Sequence, residues 1–412
     1  MTLSPLARDL YQEIAELTII DAHEHLPSEE EYLSFGYSGL NLFAGGYIWH
    51  DLESAGLSPE FKATMRDGGD RQVETWWPVI KPYWEHVKYT SYARALRITV
   101  RDLFGLSDIN DATIGEFTDR VKADNTPGLY GRILQNRCHI HTSITCVDRA
   151  DFPNDLGLRG ITMLIKAGGV GRSLITGLST RSGHTIRTLE DAAEAVQSLL
   201  RADLDKGAVG FKIRVGDYGE PDPAAAEEEF RQAIQSSDEP GFFPALRDYL
   251  FDKSLDVAAE ADVPVAVHTG YWGDFRQLDP KLLFSFADRR RDVRFDMFHL
   301  GMPMVRDGAL IGKTLPNVTL NLTWCPIISQ LQTVRILGEI MDLVPTNKVI
   351  AFGGDYRVAV QKVYGHLVLA RQVVASVLAD RIQAGDFDRE YAMHLAKLWF
   401  HDNPSRIYKL ED

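Results

Sequence analysis

Short apolar runs, each followed by a longer stretch of helical spacing, recur along the chain. Eight of them fit a strand pattern, at residues 17–25, 139–148, 160–167, 208–215, 263–270, 293–301, 318–324 and 349–357. Near-continuous apolar strands alternating with helices predict a parallel sheet covered on both faces. Most later intervals are ~25–50 residues, room for a strand, a loop and one or two helices, which predicts an α/β fold of the (β/α)8 TIM-barrel kind. The helices carry plain signals. Thr188-Leu-Glu-Asp191 opens one as a capping box, and Gly207 ends it after Lys206. Residues 242–261 and 363–384 have helical apolar spacing, and residues 1–17 read as an amphipathic helix. One interval breaks the rhythm: about 110 residues separate the first two strands, far more than a βα loop requires. The reading is one barrel over residues 1–412 with a mainly helical insertion at 30–135, rich in aromatic residues (Trp76, Trp77, Tyr83, Trp84, Tyr92). Loops that follow strands lie at the catalytic end of such barrels, so the insertion is expected to wall the pocket.

Composition narrows the function classes. A hydrophobic share of 45% is enough for a large core, yet no apolar run reaches the ~18–20 residues of a membrane span. A membrane partner is therefore not expected. The amino terminus lacks the basic-then-apolar layout of a secretory leader. Three cysteines (Cys138, Cys146, Cys325) make no disulfide framework and favour a reducing compartment, so the expected location is cytoplasmic. The net charge of -14 disfavours nucleic-acid binding. Arg289-Arg290-Arg291 is flanked by Asp288 and Asp292 and reads as solvated helix surface. The expected partner is a small-molecule substrate, with self-association as the usual habit of such barrels.

The chemistry gathers at strand ends. Asp21-Ala22-His23-Glu24-His25 closes the first strand, and side chains two apart in a strand share a face, so His23 and His25 aim together into the barrel mouth. The pair His139-Ile140-His141 is a control within the same chain; it starts its strand, away from the mouth, and reads as structural. His268, His299 and Asp355 end strands five, six and eight. Four histidines and a carboxylate at one mouth form a set that packing does not explain, because buried polar groups without partners are costly. The expected metal ligands are His23, His25, His268 and Asp355. They would hold one or two divalent ions, zinc first, with Mn, Fe or Ni as alternatives.

Lys212 stands on strand four with inward parity. It is open to three readings: a carboxylated bridge between two metals, a free ammonium binding substrate, or the partner of a carboxylate. Arg214 and Arg357 share that parity and would grip a carboxylate or phosphate, or else form ion pairs within the barrel. Arg172, closing the loop Gly168-Gly-Val-Gly-Arg172, and His50 in the insertion complete the expected substrate contacts. His86, His184, His366, His394 and His401 lack supporting context, and Cys325 reads as pocket lining.

The set His-x-His after strand one, His after strands five and six and Asp after strand eight resembles the amidohydrolase superfamily. The closing Trp399-Phe-His-Asp-Asn-Pro-Ser-Arg-Ile-Tyr408 is similar to that group's last helix. Tyr47-Ile-Trp-His-Asp, Trp76-Trp77, Leu103-Phe-Gly105 and Asp355-Tyr-Arg357 resemble uronate isomerases, from which the chain departs in carrying His299 and in being shorter. The resemblance implies a metal-dependent enzyme, and hydrolysis of a small polar, anionic substrate (a lactone, amide or sugar acid) by metal-activated water is the leading expectation. Asp355 would take the water proton, and His299 would bind a second metal or stabilise an oxyanion. The alternatives are a uronate-isomerase-like reaction on a sugar acid and non-oxidative decarboxylation.

Overall fold

The computed structural model describes residues 1–44, 47–61, 73–147, 157–164, 172–235 and 242–410. Eight parallel strands follow one another in the order β1 to β8: Ile19–Glu24, Ile140–Val147, Leu158–Met163, Gly210–Arg214, Val265–His268, Phe295–Phe298, Val318–Asn321 and Val349–Ile350. Seven lie within the segments whose apolar pattern predicts a strand, and β3 overlaps its segment but begins two residues before residue 160. Main-chain hydrogen bonds from Ala22 to Phe352 (3.1 Å), Asp355 to His23 (2.8 Å) and His25 to Tyr356 (3.0 Å) join the segment after β8 to β1. They close the barrel.

Alternation sorts the side chains. Phe211, Ile213, Val265, Val267, Phe295, Met297, Val318 and Leu320 belong to the large core between sheet and helices. Ala22, Ile144, Ile161, Ala266, Phe298 and Ile350 form a smaller cluster inside the barrel, with Tyr408 and Ile407 of the last helix. The helix Leu189–Asp205 opens on the expected Thr188/Asp191 capping box, and Lys206 caps its other end before Gly207. The amphipathic amino-terminal segment forms the helix Pro5–Ala15, capped by Ser4 and packed against the long helix Gln361–Ala384. The carboxyl-terminal motif is stitched to the lower end of the barrel by Asn403 to Val349 O (2.8 Å), Arg406 to Asn347 O (2.6 Å) and Tyr408 to Asp296 (2.8 Å).

Between β1 and β2 the chain forms the helices Glu29–Ser34, Gly39–Ala44, Ile48–Ser54, Val73–Val87, Ser91–Phe104 and Ile114–Asp124. Their aromatic residues are mostly core: Trp49, Trp76, Trp77, Trp84 and Tyr92 are buried. No described helix is long and apolar enough to cross a membrane.

Candidate metal centre and its aromatic wall

β1 delivers two histidines through an irregularity. Its pairing with β2 shifts register between Asp21 and Glu24, so Ala22 joins the barrel interior and His23, the next residue, also faces inward against Phe298 (ring centroids 4.5 Å apart). A bulge is the usual device for re-aiming a side chain in this way. His25 follows on the same side, 4.8 Å from the His23 ring.

The strand that should carry Asp355 is regular for only two residues. After Ile350, Gly353 and Gly354 let the chain press against β1 and β7. A Cβ on Gly353 would lie 2.1 Å from Thr323 Oγ1, and one on Gly354 would lie 1.9 Å from Glu24 Oε1. Asp355 then takes a left-handed backbone conformation (φ 61) that turns its carboxylate to the histidines. His23 Nε2 and His25 Nε2 each lie 3.3 Å from Asp355 Oδ1. The three donor atoms fall within 4.8 Å of one another, the described His/Cys/Asp/Glu group close enough to share an ion.

These residues fit a divalent metal. Ligand bonds of about 2.0–2.2 Å in tetrahedral array separate donor atoms by about 3.4 Å. The two measured separations of 3.3 Å match that edge. Burial, and then the Lys212 ammonium, hold His23 well below its ordinary pKa, which leaves a neutral imidazole able to ligate. Burial alone would raise the Asp355 carboxyl, but His23 and the hydrogen bonds from His23 and His25 outweigh it and keep it well below the carboxylate range.

His268 stands outside that group. Its Nδ1 is 3.0 Å from His299 Nε2, and its own Nε2 is buried without a partner among the described residues. His299 is wholly buried, with Nε2 3.7 Å from Asp355 Oδ2 and Nδ1 3.0 Å from the Thr323 carbonyl. Burial pushes His299 down to about 4, and burial and then His299 lower His268 well below its usual value. Strict alternation would turn His299 toward the helices with Phe295 and Met297. A left-handed kink at His299 and Leu300 (φ 64 and 51) swings it back to the site.

Lys212 is inward, as its parity predicts. Its Nζ lies 3.3 Å from His23 Nε2 and 3.7 Å from the centre of the Phe298 ring, and burial lowers its pKa to about 8. Arg214 ends β4 beside His268 in register and is exposed, as is Arg357 two residues after Asp355. Both therefore stand on the rim. Arg172 opens the helix Arg172–Ser182 and is exposed; residues 168–171 of its loop lie outside the described residues. The pair His139/His141 remains at the start of β2, and the three cysteines are free.

The residues least visible in the sequence build the wall above the metal group. Tyr47, left-handed itself (φ 66), donates its hydroxyl hydrogen to the Asp355 carbonyl. Its ring packs on Trp324 (4.7 Å), Tyr92 and Tyr356 (5.7 Å each) and Trp272 (6.2 Å). Trp272, 41% exposed, also meets the half-buried His50 edge-on at 5.3 Å. Trp324 Nε1 and Tyr92 Oη are buried without a described partner, two groups able to donate a hydrogen to a bound molecule. The signal for Trp272 and Trp324 was their place just beyond β5 and β7. Tyr47 lies 308 residues from its partner and carries no such sign.

The chain belongs to the amidohydrolase family, whose model matches residues 182–410, more than half of the 412 residues. No protein of curated function matches it in sequence. Among solved structures, a uronate isomerase from Thermotoga maritima superposes with a TM-score of 0.78 at 15% identity, covering 98% of both chains. A glucuronate isomerase from Caulobacter crescentus gives 0.77 at 16% identity, over 99% of this chain and 94% of that one. A Lactobacillus casei protein provisionally named a metal-dependent hydrolase gives 0.64 at 15% identity, with 97% of each chain covered. Identities this low establish a common fold and leave the reaction to the site.

Proposed function

We propose that the protein is a metal-dependent isomerase of uronate-like sugar acids. The observation that carries this reading is the His23–His25–Asp355 group, a place for one ion, with the guanidiniums of Arg214 and Arg357 on its rim. The isomerases that share the fold along nearly the whole chain support it. His23, His25 and Asp355 would hold the metal, with His268 as a fourth candidate, and zinc fits the nitrogen and oxygen donors. When bound, the ion supplies a positive charge that polarises a carbonyl and its neighbouring hydroxyl.

The chain's own groups divide the remaining work. Conversion of an aldose to a ketose removes a proton from C2, delivers one to C1 and moves the O2 hydroxyl proton to O1. Asp355, kept ionised, receives the hydroxyl proton and returns it. His50, beside Trp272, is assigned the carbon-bound proton. Arg357 and Arg214 grip the distant carboxylate, and Arg172 is a further candidate for that task. Tyr47 fixes the Asp355 main chain, while Trp324 and Trp272 lie against the sugar's carbon face and exclude water.

The test is elemental analysis followed by NMR of uronates incubated with the zinc-loaded protein. One metal per chain and appearance of the keto acid support the reading. Unchanged uronates, together with two metals and turnover of lactones or amides, overturn it in favour of hydrolysis. That second reading rests on the place of Lys212, on β4 against His23, where a carboxylated lysine would bridge two ions.

A further inference from the structure

We propose that Asn321, held by Asp296 and Tyr408, is a positioning residue that sets where the hydrogens lie on His299 and His268. The Thr323 main-chain N–H can only donate, so Asn321 must turn its carbonyl Oδ1 to it (2.9 Å), and the same oxygen accepts from Thr323 Oγ1 (2.7 Å). The Asn321 amide nitrogen then faces Asp296 Oδ2 (2.9 Å), which also accepts the Tyr408 hydroxyl (2.8 Å). Asp296, Asn321, Thr323 and His299 are wholly buried and Tyr408 nearly so. Water therefore does not compete for these bonds, and each group takes its orientation from the next.

The line continues into the site. The Thr323 carbonyl can only accept, so His299 carries its hydrogen on Nδ1 (3.0 Å) and leaves Nε2 bare. His299 Nε2 faces His268 Nδ1 at 3.0 Å, so that nitrogen supplies the hydrogen between the two rings. His268 in consequence bears a lone pair on Nε2, the buried atom with no described partner. A lone pair there can take a proton or ligate an ion; an N–H can do neither. The floor of the barrel, through its last helix, thus fixes the chemical character of a nitrogen at the mouth. This holds whichever reaction the site performs.

The assignment is tested on the full chain labelled with 15N-histidine, with and without one equivalent of zinc, by two-bond 1H–15N correlation. His268→Gln and His299→Gln identify the two spin systems. The wild type is expected to show both rings as single Nδ1–H tautomers. Asn321→Leu should lose that single state and give mixed tautomers, with Thr323→Val and Tyr408→Phe shifting in the same direction to a smaller extent. Thermal melts establish which variants fold. An Nε2–H tautomer on either ring in the wild type overturns the proposal, as do unaltered tautomers in a folded Asn321→Leu. If that variant does not fold, unaltered tautomers in both Thr323→Val and Tyr408→Phe have the same force.

Discussion

Gly354→Ala separates the stability of the barrel from the quality of its metal centre. Gly354 is not among the residues with positive φ, so alanine suits the backbone and the cost is steric. The new methyl would lie 1.9 Å from Glu24 Oε1 and 2.9 Å from Glu24 Cδ, where 3.4–4 Å is ordinary contact. Glu24 cannot step aside freely, because it is fully buried and its Oε2 accepts the Tyr356 N–H at 2.5 Å. Overpacking of this kind costs about 1–3 kcal/mol, and a broken bond that leaves the buried N–H unpaired adds about 1–3 more. Unfolding entropy of about 2.1 cal/mol/K per residue amounts to about 0.9 kcal/mol/K for 412 residues, so a loss of about 2–6 kcal/mol lowers Tm by only about 2–7 °C. The centre is less tolerant. If the segment after β8 retreats instead, Asp355 moves off a site whose bonds must hold to about 0.2 Å, and zinc affinity should fall by about 100-fold. Calorimetric melts and zinc titration against a competing chelator measure the two effects. Wild-type zinc affinity in the variant would refute the close approach of the segment after β8 to β1 as the element that places Asp355.

Tyr47→Phe keeps the ring stack but removes the hydroxyl from the Asp355 carbonyl; stability should drop by about 1 kcal/mol and turnover by about tenfold, and unchanged turnover would free Asp355 from that role. Trp272→Ala should raise KM several-fold with kcat nearly kept, since the ring sits on the rim; a fall in kcat alone would contradict the placement. Burial pushes the Asp296 carboxyl from 3.8 up to about 6, so between those values the folded chain holds a proton that the unfolded chain has released. Asp296 therefore lowers stability as pH rises from about 4 to 6, by about 1–3 kcal/mol in total. Asp296→Asn should flatten that part of the profile; urea midpoints at pH 4.5 and 7 that keep the wild-type difference would refute it.

The strands were legible because an apolar run between turn signals is dictated by burial on both faces, and burial is what the barrel imposes. The ends of those strands were less so. Counting by twos placed His23 and His25 on one face, but the count does not foresee the register shift that lets Ala22 face inward as well. The same counting sends His299 to the helices, and the left-handed kink at His299 and Leu300 reverses it. A local kink of this kind leaves no period in the sequence. His268 was visible as a polar residue closing an apolar strand, whereas its bond to His299 depends on how two strand ends lean together. The segment 349–357 read as one strand and is mostly an irregular ribbon, because Gly353, Gly354 and left-handed Asp355 abandon the pleat while keeping their bonds to β1. The motif that opens on Tyr47 was visible, but its bond to Asp355 was beyond reach, since nothing local announces a partner more than three hundred residues away.

The seam where the barrel closes joins His23 to Asp355, residues near opposite ends of the chain. A metal held there acts as a clasp on the longest loop the molecule must close, and it binds only after the first and last strands have met. Synthesis runs from the amino terminus, so the clasp cannot fasten until the segment bearing Asp355 has left the ribosome. A chain short of metal would thus betray itself first as faster hydrogen exchange along β1 and the ribbon after β8, with the opposite side of the barrel still protected.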